Sequence, residues 1–280
     1  MNNIEKLRKR ALYTAVAVFF IVFFILIADV RFINNPLLLF ASVVVCFFAI
    51  KYAVDVVNEY KYSFAYEVLQ PVFKKYDLSY EPDKGISETE ALRSGLFNFS
   101  YDEFLSKDLI KGEDFVMSYV KFISNEIYID RDGKKHKRKT VKYGGFLLSV
   151  DCDLHIKNDL LIIPDSFHLE DYLPITYEKK RVKLDSVEFE KAFDVYCDDQ
   201  IEARRILNNA FMERLLNLHK KTSFHKIRFT KNTVYVTMKK ESILSSVPLF
   251  KKINENIIEE IMAPIKKALY IKEFIKEIKK

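Results

Sequence analysis

The chain has 280 residues, enough for one membrane segment and one domain of ordinary size, with little room for a third domain. Its hydrophobic fraction of 49% matches that of a soluble protein, but the N-terminal part is far more apolar than the rest. Cys46, Cys152 and Cys197 are far apart and form no CxxC pair, which excludes a disulfide framework and favours a reducing compartment. The formal net charge of +6 favours a negatively charged partner, first of all anionic lipid, and does not require nucleic acid.

Two apolar segments near the N-terminus predict a transmembrane hairpin. The first, from Ala11 to Ala28, has no charged residue, and about 18 residues at about 1.5 Å each approach the ~30 Å hydrocarbon core. The second begins at Pro36, which suits the first helical position, and ends near Ala53, where Lys51 can reach the headgroups. We predict spans of about 11–28 and 36–53. A signal peptide and a soluble core helix are weaker alternatives, because two long apolar segments follow each other at once.

The charges that flank these segments predict the orientation of the hairpin. Basic residues lie before the first span and after the second, whereas the connecting loop holds only Asp29 and Arg31. The basic residues are Lys6, Arg8, Lys9, Arg10, Lys51 and Lys61. By the positive-inside rule we expect a cell-membrane protein with two spans and both termini in the cytoplasm. The predicted domains are residues 1–57, with the N-terminal tail and the hairpin, and residues 58–280, a cytoplasmic domain.

Helical and strand patterns alternate after the spans. A helix is predicted from Val56 to Asp77, with a kink or an end near Pro71. Ser87 and Glu90 have the spacing of a capping box, which predicts a short helix that ends around Gly95.

Strand patterns dominate from Phe115 to Ile163. Apolar side chains recur before the polar turn Arg131-Asp132-Gly133 and again from Val141 to Val150, which predicts a β-hairpin. The same periodicity predicts a buried strand from Leu160 to Ile163 and a half-exposed strand from Arg181 to Asp185. We expect the sheet to be antiparallel.

Helices and a second hairpin are predicted toward the C-terminus. Helical segments lie around Val187 to Phe193 and from Gln200 to Leu218, the second with Asp199 as its N-cap. Strands are predicted from Phe224 to Thr230 and from Val234 to Met238. An amphipathic helix with an isoleucine face and a lysine-rich face ends the chain. The predicted fold class is α+β: a two-helix transmembrane hairpin followed by a soluble domain with a mainly antiparallel sheet and packed helices.

Several short segments resemble one known family. They are Ser94 to Phe97, Gly112 to Asp114, Tyr143 to Leu147, Val182 to Leu184, Phe189 to Lys191, Phe193 to Tyr196, Asp199 to Arg204 and Phe211 to Leu215. Together they resemble the bacterial family of domain of unknown function 3137 over about Tyr80 to Phe250. The resemblance implies an uncharacterised bacterial membrane protein and brings no established activity, cofactor or catalytic residue. The family often has a Thr-Pro pair where this chain has Asn208-Asn209, which weakens the case for a helix break there.

A dense basic cluster surrounds the tip of the predicted first hairpin. The candidate lipid or partner contacts are Lys134, Lys135, Lys137, Arg138 and Lys139. Such a cluster is typical of a solvated turn, of a surface for anionic headgroups or, less often, of a nucleic-acid site, for which no motif is present here. The lysine-rich C-terminal helix presents a similar choice, with packing onto the domain or a partner favoured over the membrane interface.

Two further groups of residues are candidate polar sites. Asp198, Asp199, Glu202 and Arg204 form the first, although carboxylates in the first turn of a helix also complement its dipole. Asp151, Asp153 and His155 form the second, because on a strand all three would project from one face and could hold a metal or support hydrolysis. Any half-exposed strand produces the same alternation and no fourth ligand is evident, so we predict no metal and no cofactor.

The chain contains no Walker-type loop, GxSxG elbow, HExxH motif or dinucleotide GxGxxG motif. We therefore predict a membrane-anchored cytoplasmic interaction module that binds a protein partner, an anionic lipid surface or both, and we leave a homo-oligomer open. The alternative is a membrane-bound enzyme of the hydrolase type that uses an Asp/His cluster. A transporter is disfavoured, because neither span carries an ionisable residue in mid-membrane.

Overall fold

A computed structural model describes residues 2–32, 36–130, 133–154, 156–164 and 180–278. The chain forms two compact units. The first unit contains Met1–Tyr76 and Ile243–Ile261, and the second contains Asp77–Ser242 and Met262–Lys280.

The first unit is helical. Helix α1 spans Asn2–Phe32 and helix α2 spans Pro36–Phe64; a π-helical turn at Ala65–Leu69 then leads into α3, Gln70–Lys74. The predicted irregularity near Pro71 is confirmed as this π-helical turn, because proline has no N–H for the regular helical hydrogen bond. Helix α2 passes through position 57, the predicted domain end, without interruption.

Both long helices expose their apolar side chains. Only 11% of the most apolar stretch of α1 and 0% of that of α2 is buried. Phe19, Phe24, Leu37 and Phe40 are among the exposed side chains. A soluble core helix would bury such residues. By length and composition, the two helices are therefore suited to cross a membrane.

A buried arginine connects sequence-distant parts of the first unit. The Arg8 guanidinium donates two hydrogen bonds to the Glu5 carboxylate, of 2.7 and 2.9 Å, and a third of 2.8 Å to the carbonyl of Leu249. The Tyr60 hydroxyl donates to the carbonyl of Pro248 over 2.8 Å. These bonds hold the Ile243–Ile261 segment against both long helices, because a buried guanidinium needs these acceptors.

The second unit contains the β-sheet. Its elements are β1 (Ser79–Glu81), α4 (Glu88–Arg93), β2 (Glu103–Lys111), β3 (Phe115–Ile129), β4 (Lys135–Asp151), β5 (Leu160–Pro164), β6 (Lys180–Arg181), α5 (Val187–Ala192), β7 (Phe193–Cys197), α6 (Gln200–Ile206), α7 (Asn209–Thr222), β8 (Lys226–Phe229) and β9 (Thr233–Met238). Helix α8, Ile243–Ser246, belongs to the first unit, and α9, Glu255–Ile278, contributes to both units. In the described residues the sheet order is β1-β2-β3-β4-β9-β8-β5-β7-β6.

Every strand pairing described in this sheet is antiparallel, which confirms the predicted α+β class. The two predicted hairpins are confirmed as β3–β4 and β8–β9, and the predicted strand at Leu160 as β5. The capping box at Ser87 and Glu90 is also confirmed.

Other predicted elements were wrong in detail. The helix predicted from Gln200 to Leu218 is two helices, because Leu207 has a non-helical ψ of 57° and Asn208 caps the start of α7. The strand predicted from Arg181 to Asp185 extends only through Arg181. Phe193, predicted as the end of a helix, instead begins β7. Strands β1 and β2 were not predicted, and the irregular register of β2 between Lys107 and Ile110 interrupts its alternation.

An aromatic core lies at the part of the β3–β4 hairpin that is next to β2. The Phe97 ring lies 4.6 Å from Phe122 and 5.0 Å from Tyr143, between ring centroids. Phe104 packs against Phe122 from β2, at 5.0 Å. Phe122 and Tyr143 are cross-strand partners, so pairing and burial support each other at this point.

Candidate functional site

The hairpin tip, defined here as Ser124–Ile129 with Lys135–Thr140, projects from the sheet as a two-stranded ribbon. The β2 pairing reaches β3 only as far as Ile123, and the β9 pairing begins on β4 only at Phe146. Between these limits and the turn, β3 and β4 pair with each other alone in the described part of the chain. Ile127 and Ile129 are each 63% exposed. An isolated two-stranded ribbon has marginal stability in water. Exposed apolar side chains at its end do not support the fold and are typical of a binding surface.

The strand register places isoleucine and lysine on one face of the tip. Ile127 is paired with Lys137 and Ile129 with Lys135, while Lys139 lies opposite Asn125. Cross-strand partners point to the same side of a sheet, and so do residues two positions apart. This surface, Ile127, Ile129, Lys135, Lys137 and Lys139, is called the isoleucine–lysine face below.

The opposite face of the tip carries acidic and aromatic side chains. The Tyr128 ring stacks on His136 with centroids 5.3 Å apart, and His136 Nε2 lies 2.5 Å from Asp130 Oδ2. Glu126 accepts a hydrogen bond of 2.6 Å from Lys142, which lowers the pKa of that carboxyl below its ordinary value. The acidic side chains of this face are thus paired with His136 and Lys142.

The five basic residues singled out from the sequence all lie on exposed parts of this hairpin. Lys135, Lys137 and Lys139 share the isoleucine–lysine face, whereas Arg138 points to the other side opposite Glu126. Lys134 lies in the turn, where its N–H donates to Asp130. Lys139 also forms an ion pair of 2.6 Å with Glu103. The tip can thus present Lys135 and Lys137 to an anionic surface together with two isoleucines.

The acidic group around α6 has structural partners. Asp199 caps α6 by accepting hydrogen bonds from the N–H groups of Ile201 and Glu202. The buried Glu202 carboxylate accepts from the N–H groups of Lys157 and Asn158 and from the Asn158 side chain. These hydrogen bonds, with that from Lys157 as the largest cause, lower the pKa of Glu202.

The remaining members of that group are Arg204 and Asp198. Arg204 donates to the carbonyl of Lys183 over 3.2 Å, and the Asp198 side chain is exposed. Asp199 and Glu202 therefore share one helix start, and each binds backbone N–H groups within the domain. Capping and loop attachment account for the contacts of both carboxylates.

The second acidic group lies where β4 ends. Asp151 is the last residue of β4 and accepts a hydrogen bond of 3.4 Å from the Thr233 hydroxyl. Beyond it the chain follows the β8–β9 turn, with the N–H of Leu154 donating to the carbonyl of Lys231, and Asp153 lines a cavity. His155 lies outside the described residues. Among the described residues, no group of three or more His, Cys, Asp or Glu side chains could hold a metal ion.

Sequence reasoning missed this cavity, which has a volume of about 590 Å³. It is lined by Asp153, Leu154, Ile156, Arg205, Ile206, Asn208, Ala210, Phe211, Arg214, Phe229, Glu277 and Ile278. These residues come from four separate stretches of the chain, so no local motif could predict their meeting. The break between α6 and α7 at Leu207 and Asn208 borders it, and that break was the wrong part of the helix prediction.

Sequence reasoning also missed a group of buried titratable side chains beside the aromatic core. Burial lowers the pKa of His225 to about 3, with smaller contributions from Lys239 and Lys226. Burial likewise lowers the pKa of Lys226 to about 8, although its ammonium donates a hydrogen bond of 3.0 Å to the carbonyl of Leu96. Tyr143 lies alongside, with its ring 5.8 Å from His225, and burial raises its pKa.

Comparison with known proteins gives one family and one distant structural likeness. No curated protein sequence matches the chain. The crystal structure of the mycobacterial trehalose monomycolate transport factor A, TtfA, aligns with a TM-score of 0.39 and 9% identity, and the alignment covers 71% of this chain and 88% of that one. The model of the family described as "Protein of unknown function (DUF3137)" matches residues 141–279, from within β4 through α9. Through these residues, the chain belongs to the DUF3137 family.

Proposed function

We propose that the protein is a membrane-anchored module whose hairpin tip binds an anionic lipid surface. The observation that carries this proposal is the isoleucine–lysine face, where two exposed isoleucines and three lysines lie on one side of a projecting ribbon. A bilayer interface offers both of the environments that this face needs: acyl chains for the isoleucines and anionic headgroups for the lysines.

The energies of the two contributions are comparable. Each lysine near an anionic surface contributes about 1 kcal/mol, and full burial of an isoleucine side chain contributes roughly 1.5–3 kcal/mol. Lysine charge and isoleucine burial would therefore act together, and binding would remain reversible. For a protein already held at a membrane, a weak contact is enough, since the effective lipid concentration is high.

The proposed topology assigns the sheet unit to the cytoplasmic side of the membrane. Helices α1 and α2 would span the cell membrane, with the basic residues before α1's apolar stretch and after that of α2 on the cytoplasmic side. Both termini and the sheet unit would then be cytoplasmic. The cytoplasmic leaflet carries a negative surface potential that attracts basic segments close to it.

Lysine footprinting of the full-length protein in nanodiscs tests the proposal. An amine-acylating reagent is applied to nanodiscs of phosphatidylcholine with and without phosphatidylglycerol, and mass spectrometry measures the acylation rate of each lysine. We expect the rates at Lys135 and Lys137 to fall by about fivefold per lysine when phosphatidylglycerol is present, and to recover at high salt. Exposed Lys231, at the β8–β9 turn, is the internal reference.

Two variants separate charge from insertion. I127S/I129S should reduce protection of Lys135 in phosphatidylglycerol nanodiscs, whereas I201S should not, because Ile201 is 80% exposed on α6 and lies away from the tip in sequence. Equal acylation of Lys135 in the two lipid compositions would contradict the lipid proposal. Protection that instead requires an added acidic protein would favour a protein partner, the other ligand class expected from the sequence.

The alternative function is a membrane-bound hydrolase that uses Asp151, Asp153 and His155. The position of Asp153 in the wall of a cavity is the observation in its favour. Hydrolysis of a generic ester by the purified protein, abolished by D153N, would support it. The hydrogen bond of Asp151 to Thr233 and the exposed tip favour the lipid-binding proposal.

A further inference from the structure

The cavity lined by Asp153 and the α6–α7 junction has the size and surface of a small-molecule site. Its volume of about 590 Å³ lies within the ~300–1,000 Å³ typical of such sites. Its apolar wall is formed by Leu154, Ile156, Ile206, Phe211, Phe229 and Ile278. Of these, Leu154, Ile156, Phe211 and Phe229 are buried, so the apolar surface is a fixed part of the fold.

Two arginines lie in the same wall. Arg214 Nη2 is 2.6 Å from Glu277 Oε2, and both side chains are partly exposed. Arg205 Nη2 is 3.6 Å from Glu202 Oε1, beyond hydrogen-bond distance. The Glu202 carboxylate also accepts hydrogen bonds from Lys157 and Asn158. Two guanidinium groups, together with the Asp153 and Glu277 side chains, therefore line the cavity beside an apolar wall.

From this combination we infer that the cavity binds a single-chain amphiphile with a carboxylate head. The apolar wall takes the chain, and Arg214 takes the carboxylate, for which a guanidinium offers two parallel N–H donors. This site lies in the sheet unit and uses none of the residues of the hairpin tip. It is thus independent of the function proposed above.

Glu277 marks the place of the ligand carboxylate. Its carboxylate forms an ion pair with Arg214, but its side chain is 65% exposed and it is the second-last residue of α9. A carboxylate at the C-terminal end of a helix is disfavoured by the helix dipole, so displacement of Glu277 from Arg214 costs little. A ligand that also buries a chain in the cavity gains contacts that Glu277 cannot make.

Asp153 restricts the charge of the ligand head. Its carboxylate belongs to the same wall as the two arginines. A dianionic head such as a phosphate monoester would meet more repulsion from this carboxylate than a head with one negative charge. The site therefore favours a carboxylate over a phosphate monoester.

Photolabelling of the full-length protein in phosphatidylcholine nanodiscs tests this inference. The probe is a decanoic acid that carries a diazirine on its chain, and its methyl ester is the uncharged control. Labelled peptides are quantified by mass spectrometry. Peptides from the apolar stretches of α1 and α2 report the probe dissolved in the bilayer and normalise each measurement.

We expect the acid to label peptides that contain Ile206, Phe211 or Ile278. R214Q should reduce this labelling by about tenfold, because it removes a charged hydrogen-bond partner. E277Q should increase it, because it removes the competing carboxylate and leaves Arg214 in place. The opposite signs guard against a folding defect, which would lower labelling in both variants.

Three results would overturn the inference. They are labelling confined to α1 and α2, equal labelling of the cavity peptides by acid and ester, and labelling by the acid that R214Q leaves unchanged. K135Q/K137Q, which alters only the hairpin tip, should leave cavity labelling as in the unmodified protein. Failure of the lipid proposal therefore stays distinguishable from failure of this one.

Discussion

The two halves of the β3–β4 hairpin share one antiparallel pairing yet differ in what surrounds them. The base, Phe115–Ile123 with Val141–Val150, has β2 on one side and β9 on the other, and its side chains enter the aromatic core. The tip has neither neighbour in the described chain, and its side chains are exposed. Backbone pairing is the same in both halves, so burial decides which half supports the fold.

This difference also separates residues that stabilise from residues that are available for binding. At the base, apolar side chains form the core together with α4 and β5. At the tip, isoleucines remain in water, where they contribute nothing to the core. Substitutions at buried and at exposed positions test this difference, each with the free energy of unfolding of the full-length protein measured by denaturant titration in nanodiscs.

The largest effect is expected at the base. F122A should lower the free energy of unfolding by about 3–5 kcal/mol, because it leaves a cavity among Phe97, Phe104 and Tyr143. I127A, the matched truncation at the tip, should change it by less than about 0.5 kcal/mol. Similar losses in F122A and I127A would mean that the tip and the base support the fold equally, which would contradict the difference described here between the two halves of the hairpin.

The next largest loss of stability is expected at Glu202, the buried carboxylate of α6. E202Q should destabilise by about 1.5–3 kcal/mol, because it replaces a buried carboxylate that accepts hydrogen bonds from Lys157 and Asn158. Since the folded pKa of Glu202 is lowered, its contribution is present above its ordinary pKa and is lost as the pH falls below it.

The matched control is R204Q, on the exposed side of α6, for which we expect almost no change. A pH profile of unfolding should lose part of its acid limb in E202Q and keep it in R204Q. If E202Q and the unmodified protein lost stability equally at acidic pH, Glu202 would not stabilise the segment that contains Lys157 and Asn158.

A pH-dependent effect is expected beside the base of the hairpin. Burial, with smaller contributions from the nearby Lys239 and Lys226, lowers the pKa of His225 from its ordinary value of 6.5 to about 3. Between these values the unfolded chain binds a proton that the folded chain does not. Stability should therefore fall as the pH decreases from 6.5 toward 3, by up to about 1.4 kcal/mol per pH unit.

H225Q should flatten this slope, because it removes the buried imidazole. The measurement is the urea midpoint as a function of pH. An identical slope in H225Q and the unmodified protein would place the titration elsewhere.

The smallest effect is expected at the tip itself. K139Q breaks an ion pair with Glu103, but the Lys139 side chain is 66% exposed, so the loss should be below about 0.5 kcal/mol. A loss above 1 kcal/mol would mean that the exposed ribbon is stabilised by its charges. High salt should abolish even a small difference.

Elements with strong local signals were predictable. The capping box at Ser87 and the β8–β9 hairpin follow from neighbouring residues, because turns and caps are decided within a few positions. Strand β7 was not predictable, because Phe193 continues a helical pattern until the pairing with β5 and β6 draws it into the sheet. The split at Leu207 was missed for a similar reason, since the apolar periodicity continues through it.

The candidate sites likewise combine features that local sequence predicts with features that depend on the tertiary structure. The five basic residues of the hairpin are close enough in sequence to be identified without a structure, but their distribution over two faces depends on the β3–β4 register. The cavity residues Asp153, Arg214 and Glu277 carry no common signal, because they come from three distant segments. Glu202 was recognised as polar and noteworthy, but its burial and its partners at Lys157 and Asn158 are tertiary facts.

The sequence by itself determined the two long apolar helices, the antiparallel α+β character and the basic hairpin, because these depend on hydrophobicity and periodicity along a continuous stretch. Only the tertiary structure decided which half of the hairpin is buried, which carboxylates hold the fold together, and that two arginines border an apolar cavity. Those features depend on contacts between residues far apart in the chain, and burial, rather than residue type, sets what each charge can do there.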